Sequence, residues 1–380
     1  WAMMANIDWN PDPLTPETYF KLADRFQPQR YEPERWLQAA KEAGFGYAVL
    51  TARHHDGYAL WPSKYGDFST RTHMRSRDLL RPYVEACRKV GLKVGFYYSP
   101  PDWHFNRHYM SFGYNSKGTA ESPHLGTRHE PIQLRAKPAE FDAQYIQYLN
   151  GQITELLTNY GKIDLLWFDG SSGPQVMAQT EIRRRQPGIL INDRQHGAGD
   201  FTTQFEVGLP TKRPPGLWEH CFSMVGNWGY SEPETWLPTP RLLVRLVRCR
   251  AWGGNVLANF APRADGQMPP RYYQCLADIQ AWMARNGESV IGIEAGPWPE
   301  QCNVPVTVRG KTWYLHLVPV TRDGPASPNT VTLRGVEKPK RVVMLATGHA
   351  LEHRQEAHHL TTVVGHALRT PLGDVIKVEW

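Results

Sequence analysis

The 380-residue chain lacks any apolar run approaching the roughly 18 residues that cross a bilayer, so no membrane partner is expected. It has only five cysteines, an odd number with no CxxC pair, which argues against a disulfide framework or a cysteine-based zinc site and for buried thiols. No GxSxG elbow occurs, which argues against a serine hydrolase, and no Gly-rich loop follows an apolar run, which argues against nucleotide binding. Charge of one sign is not concentrated either. The 43 basic and 37 acidic residues are interspersed, and the longest basic run is Arg183-Arg184-Arg185, so no nucleic-acid partner is expected. No signal peptide opens the chain. The compartment stays open, a secreted or periplasmic location being preferred to the cytoplasm.

What is present is alternation. Helical apolar spacing over 33–42, 76–90, 141–160, 176–185 and 240–252 is interleaved with short apolar runs: FGYAVLTARHHDG, KVGFYYSPPDW, IDLLWFDG, GILINDR, GLWEHCF and NVLANFAPRADG. Strands alternating with helices imply a parallel sheet covered by helices, and the length and count favour a (β/α)8-like barrel over residues 1–289. From residue 290 the texture changes to short β-rich runs such as VTVRG, TWYLHLVPV and DVIKVEW between Gly, Pro and Asn turns, the pattern of a smaller all-β sandwich over 290–380. The stretch Pro100–Pro138 carries no periodicity and is expected to be a lid or binding loop or to be partly disordered.

In such barrels the chemistry gathers at the C-terminal ends of the strands. His54, His55, Tyr97, Asp169, Arg194 and Glu219 are all expected there. Asp169 and Glu219, each flanked by Trp, form the pair of carboxylates that glycosidic cleavage needs, one ionised and one able to hold a proton. Arg194 is a candidate partner for the ionised member or for a substrate oxygen. The adjacent pair His54-His55 invites a metal reading, but neighbours on one strand point to opposite faces and no companion ligand has suitable spacing, so no metal is expected. Neutral imidazoles that bond sugar hydroxyls fit better. Of Tyr97 and Tyr98 only one can face inward, and Tyr97 is preferred.

TARHHDGYALWPS, VGFYYSPPDW, DLLWFDG, INDR, WEHC with NWGY, and GGNVLANFAPRADGQMP occur in one order. Together they resemble the α-L-fucosidases of glycoside hydrolase family 29. The resemblance implies a retaining exo-glycosidase on a (β/α) barrel, with no cofactor and a fucosylated glycan as substrate. It makes Asp169 the nucleophile and His54, His55, Tyr97 and Arg194 contacts of the sugar, to which Trp1, Trp61 and Trp228 of the matching segments are added. The WE motif points to Glu219 as acid/base, with Glu206 in DFTTQFE as the competitor. Family members open with an FGIFIHWG-like strand and a Glu-Trp pair; Trp1 aligns with the second member of that pair, so the first barrel strand is expected to be missing or atypical. Either the Trp1–Ile7 segment fills the gap or a second copy of the chain covers it, which makes a homo-oligomer an expected partner. Two other readings of the same residues are a non-catalytic fucose- or glycan-binding protein and a related glycosidase acting on a sugar such as galactose.

Overall fold

In a computed structural model, the structure describes residues 14–113, 115–170, 176–195, 197, 199–206, 208–226 and 228–380. The expectations for Trp1 and for the Trp1–Ile7 segment therefore lie outside the described residues. The chain forms two compact units, the first comprising most of the chain up to Asp200 and the second most of it from Phe201 onward.

The first unit is built on a four-stranded sheet: β1 (Tyr47–Arg53), β2 (Lys93–Tyr98), β3 (Leu165–Phe168) and β4 (Leu190–Ile191), paired in sequence order and all parallel. Parallel neighbours need a crossover. Helices Leu80–Val90, Phe141–Thr158 and Gln179–Arg185 supply the three crossovers. The sheet centre (Phe96, Leu166, Phe168, Ile191) and the inward faces of the first two helices (Leu80, Val84, Leu149, Ile153, Leu156) are at most 2% exposed. The first of these helices is shorter than its apolar spacing predicts. Arg75 and Ser76 take positive φ, and the Asp78 carboxylate accepts from the N–H groups of Leu80 and Arg81, so the cap fixes the start at Leu80. Gly91, left-handed at φ +76°, closes it.

The second unit opens with three parallel strands in chain order, β5 (Thr202–Phe205), β6 (Trp218–Ser223) and β7 (Asn255–Asn259), with helix Thr239–Ala251 between the last two. After helix Pro270–Asn286 the unit is mainly β. Two antiparallel sheets follow, one of five strands centred on Thr312–Leu317 and Asp374–Glu379, the other of three strands including Thr330–Arg334 and His359–Val363. Val306, Leu315, Ile376 and Val378 of the first share one apolar cluster with Val331, Leu333 and Leu360 of the second. All five cysteines are buried.

Candidate active site

Asp169 is the first residue beyond β3, and its backbone N–H still bonds Tyr98 O at 3.1 Å. The strand therefore fixes the backbone, while the side chain, 18% exposed, is free to face an opening. Both carboxylate oxygens are engaged. Oδ1 accepts from Arg194 Nη1 and from the Gly170 N–H, each at 2.8 Å; Oδ2 accepts from the Tyr97 hydroxyl at 2.5 Å and lies 3.7 Å from His55 Nε2. Burial by itself would raise the Asp169 pKa, but the hydrogen bonds from the Tyr97 hydroxyl and the Arg194 guanidinium, with the cationic charge of Arg194, outweigh it and hold the carboxyl below its ordinary value. The group is kept ionised.

Flat rings wall this carboxylate. Tyr97 pairs in register with Trp167, and their rings stack at 5.4 Å; His54 stacks on the other face of Tyr97 at 5.2 Å, and the Arg194 guanidinium lies 4.6 Å over Trp167. Tyr97 is the tyrosine at this face. Tyr98 points into the core, where its hydroxyl bonds Gln152 and its ring carries the buried Arg53. Burial pushes His54 down to about 3 and lowers His55 as well, so both imidazoles are neutral near pH 7 and can bond hydroxyls without repelling a cationic centre.

The two histidines correct the alternation argument. β1 ends at Arg53 and its register with β2 shifts between Thr51 and Arg53, so His54 and His55 lie beyond the regular strand, with ring centroids 4.3 Å apart on one side. Among the described residues, His54, His55 and Asp169 form the one group with the spacing of a metal site, its ligand atoms within 4.8 Å of one another. The donor set does not suit a cation. A guanidinium and a phenol already hold the carboxylate, and Arg194 at 2.8 Å would repel a divalent ion.

Sequence reasoning missed the residues that hold this group from behind. The buried Asn192 side chain accepts from Phe168 N and donates to Phe168 O, both at 2.8 Å, continuing the β3–β4 ladder one residue past the end of β4. Asn192→Ala orphans both backbone groups and should cost about 2–4 kcal/mol in urea unfolding. Ser99 Oγ takes His55 Nδ1, and the Trp103 N–H donates to His55 O at 2.7 Å. Gly170 adopts φ +74°, where a Cβ would stand 2.6 Å from the Pro101 ring, so the glycine after Asp169 is required by both conformation and space.

One expected site residue lies in the core, and another lies away from the end of its strand. Trp61 is 1% exposed and donates its indole N–H to Glu155 at 2.9 Å, so it is a core residue rather than a sugar platform. Glu219 is the second residue of β6, opposite the first residue of β7, and is 3% exposed. It stands four residues, roughly 13 Å, before the C-terminal end of its strand. The expected strand-end position belongs instead to Glu206, half-buried and immediately after β5. The Trp228 carbonyl accepts from the Asn259 side chain at 2.8 Å, just beyond β6 and at the end of β7.

The family model described as Alpha-L-fucosidase matches residues 12–288. Mouse tissue alpha-L-fucosidase is 26% identical over 320 residues, 78% of this chain and 64% of that protein; the Dictyostelium discoideum alpha-L-fucosidase is 25% identical over 75% of this chain and 60% of its own length. The chain thus spans a little under two thirds of these relatives. Alpha-L-fucosidase isoenzyme 1 from Paenibacillus thiaminolyticus superposes with a TM-score of 0.80 at 31% identity, covering 96% of this chain and 90% of that one. A family 29 alpha-L-fucosidase from Bacteroides thetaiotaomicron, at 23% identity, a TM-score of 0.77 and coverage of 96% and 84%, shares the fold. With the match running through every strand that carries the carboxylate, its arginine and its imidazoles, the chain belongs to the alpha-L-fucosidase family.

Proposed function

We propose that the protein is a retaining exo-α-L-fucosidase that removes terminal α-linked L-fucose from glycans. The observation that carries this reading is the Asp169 carboxylate, kept ionised by Tyr97 and Arg194 and walled by Trp167, Tyr97 and two neutral histidines. An ionised carboxylate held rigidly at a strand end is the nucleophile that double displacement requires. Hydroxyl-bonding imidazoles beside a flat aromatic wall suit a neutral sugar with one apolar face.

In this reading one Asp169 oxygen attacks the anomeric carbon as the leaving oxygen takes a proton from a second carboxylic acid. The resulting β-linked fucosyl-enzyme is opened by water, whose proton returns to that second group. Strand position favours Glu206 for this role over Glu219, because Glu206, like Asp169, follows the C-terminal end of a parallel strand. Residues 1–289 would then be a (β/α)8-like catalytic domain and residues 290–380 an accessory β-sandwich. Among the described residues, the sets of four and of three parallel strands, each in chain order, and the likeness to the Paenibacillus enzyme support that architecture.

The test is hydrolysis of an aryl α-L-fucoside followed by proton NMR from the first minutes. α-L-Fucose is expected as the first anomer, mutarotating later. β-L-Fucose first would replace double displacement by single inversion, and absence of release from any fucoside would remove the enzyme reading.

A further inference from the structure

The long stretch after β2 folds around a cleft. Within it the short helix Trp103–Asn106 is capped by Asp102, whose carboxylate accepts from Phe105 N at 2.7 Å, and His124–Leu125 pairs antiparallel with Pro131–Ile132. The loop then closes onto the N-terminal helix Pro16–Phe20. Glu17 N donates to Thr127 O at 2.9 Å, and the Glu17 carboxylate is ion-paired to Arg128 and, at 3.1 Å, to Lys21.

Between these segments and the stretch 67–73, which ends in the short helix Thr70–His73, lies a cleft of about 570 Å³, within the size range of small-molecule sites. Its floor is aromatic. Phe68 and His104 stack at 4.1 Å with planes 9° apart, and Phe20 stands edge-on to both at 5.6 and 5.0 Å. Its rim is polar, with three basic and four acidic side chains, so it offers donors and acceptors without a strong net field. Burial lowers His104 to about 4, which leaves the floor uncharged near neutrality.

The position of the cleft is informative. Trp103, the residue before His104, has its ring 5.5 Å from that of His55. Tyr19, the residue before Phe20, donates to Asp56 at 2.8 Å. Both walls therefore continue directly from residues that touch the His55-Asp56 segment.

We propose that this cleft binds a neutral sugar on the leaving side of the fucosyl bond, so that it sets which fucosylated oligosaccharides are cleaved. The proposal rests on the fucosidase reading above. The ring floor takes the C–H face of a pyranose, and the mixed-charge rim bonds its hydroxyls. A small aryl leaving group has no second sugar to reach it.

Two variants at exposed positions test this without disturbing buried contacts: Asp67→Ala/His108→Ala, which strips rim groups, and Thr72→Trp, which fills the cleft. The readout is the ratio of kcat/KM for fucosyllactose to kcat/KM for an aryl fucoside. Each variant should lower that ratio about tenfold, the equivalent of one or two lost hydrogen bonds. In parallel, lactose and N-acetyllactosamine are titrated into the intact wild-type and Thr72→Trp proteins and followed by ligand-observed NMR. Binding to the first and its loss in the second are expected. An unchanged ratio in folded variants, or disaccharide binding that survives Thr72→Trp, would overturn the assignment. Wild-type protein that binds the disaccharides in the cleft but releases nothing from an aryl fucoside would leave the sugar site standing and sink the fucosidase reading instead.

Discussion

Replacing Asp169 by Asn is expected to lower kcat/KM on aryl α-L-fucosides by about 10,000-fold or more, since removal of a nucleophile eliminates the covalent route. The fold should survive, because the carboxamide keeps the size of the carboxylate, one oxygen still accepts from Arg194 or Tyr97, and the β3 backbone is held independently through Asn192. The sharper experiment uses Asp169→Gly with azide. With no carboxylate on that face, azide attacks the anomeric carbon directly and the product is β-L-fucosyl azide, of inverted configuration. Recovery of the α-azide from this variant would place the nucleophile elsewhere. The pH dependence has a definite sign. The folded-state pKa of Asp169 is depressed, so its contribution to stability is present above the unfolded value near 4 and is lost as pH falls through the lower folded value. The acid limb that Asp169 imposes on kcat/KM should therefore lie below pH 4. Tyr97→Phe removes the shortest hydrogen bond to the carboxylate and should move that limb upward.

Much of this site is legible in the sequence because each component sits where an apolar run stops. Asp169 after LLWF, Tyr97 within GFYYS and Arg194 after ILIN are visible as polar or aromatic groups at strand ends, and the fold brings them together around one carboxylate. The supports are illegible for a physical reason. Asn192 earns its place by bonding the backbone of Phe168, 24 positions away, and Trp61 is drawn into the core by an acceptor on Glu155, 94 positions away. Neither partner leaves a trace in local spacing. The mispairing of His54 and His55 has a different origin: alternation holds only while a strand is regular, and β1 loses its register before the histidines begin.

The second carboxylate is the other large expected effect, and strand boundaries decide it. Trp218-Glu219-His220 looks like the polar end of a strand, yet Cys221 and Phe222 continue the ladder opposite Leu257 and Ala258, so Glu219 belongs to the strand's beginning and is almost wholly buried. The Thr-rich β5 has little apolar signal, which hides the strand end at Glu206. Glu206→Ala should lower kcat/KM on natural fucosides by about 100- to 10,000-fold, the usual contribution of a general acid, and by much less on aryl fucosides whose leaving groups need no proton. Azide should restore its turnover and give α-L-fucosyl azide, because azide then opens the β-linked fucosyl-enzyme that Asp169 still forms. Glu219→Gln should retain most activity, while Glu219→Ala should lower stability by about 1–3 kcal/mol, as expected when the polar partners of a buried group are left unsatisfied, and should show no azide rescue. Rescue of Glu219→Ala with the α-azide as product, and none for Glu206→Ala, would return the acid/base role to Glu219 and show that strand-end position is not what selects the proton donor in this fold.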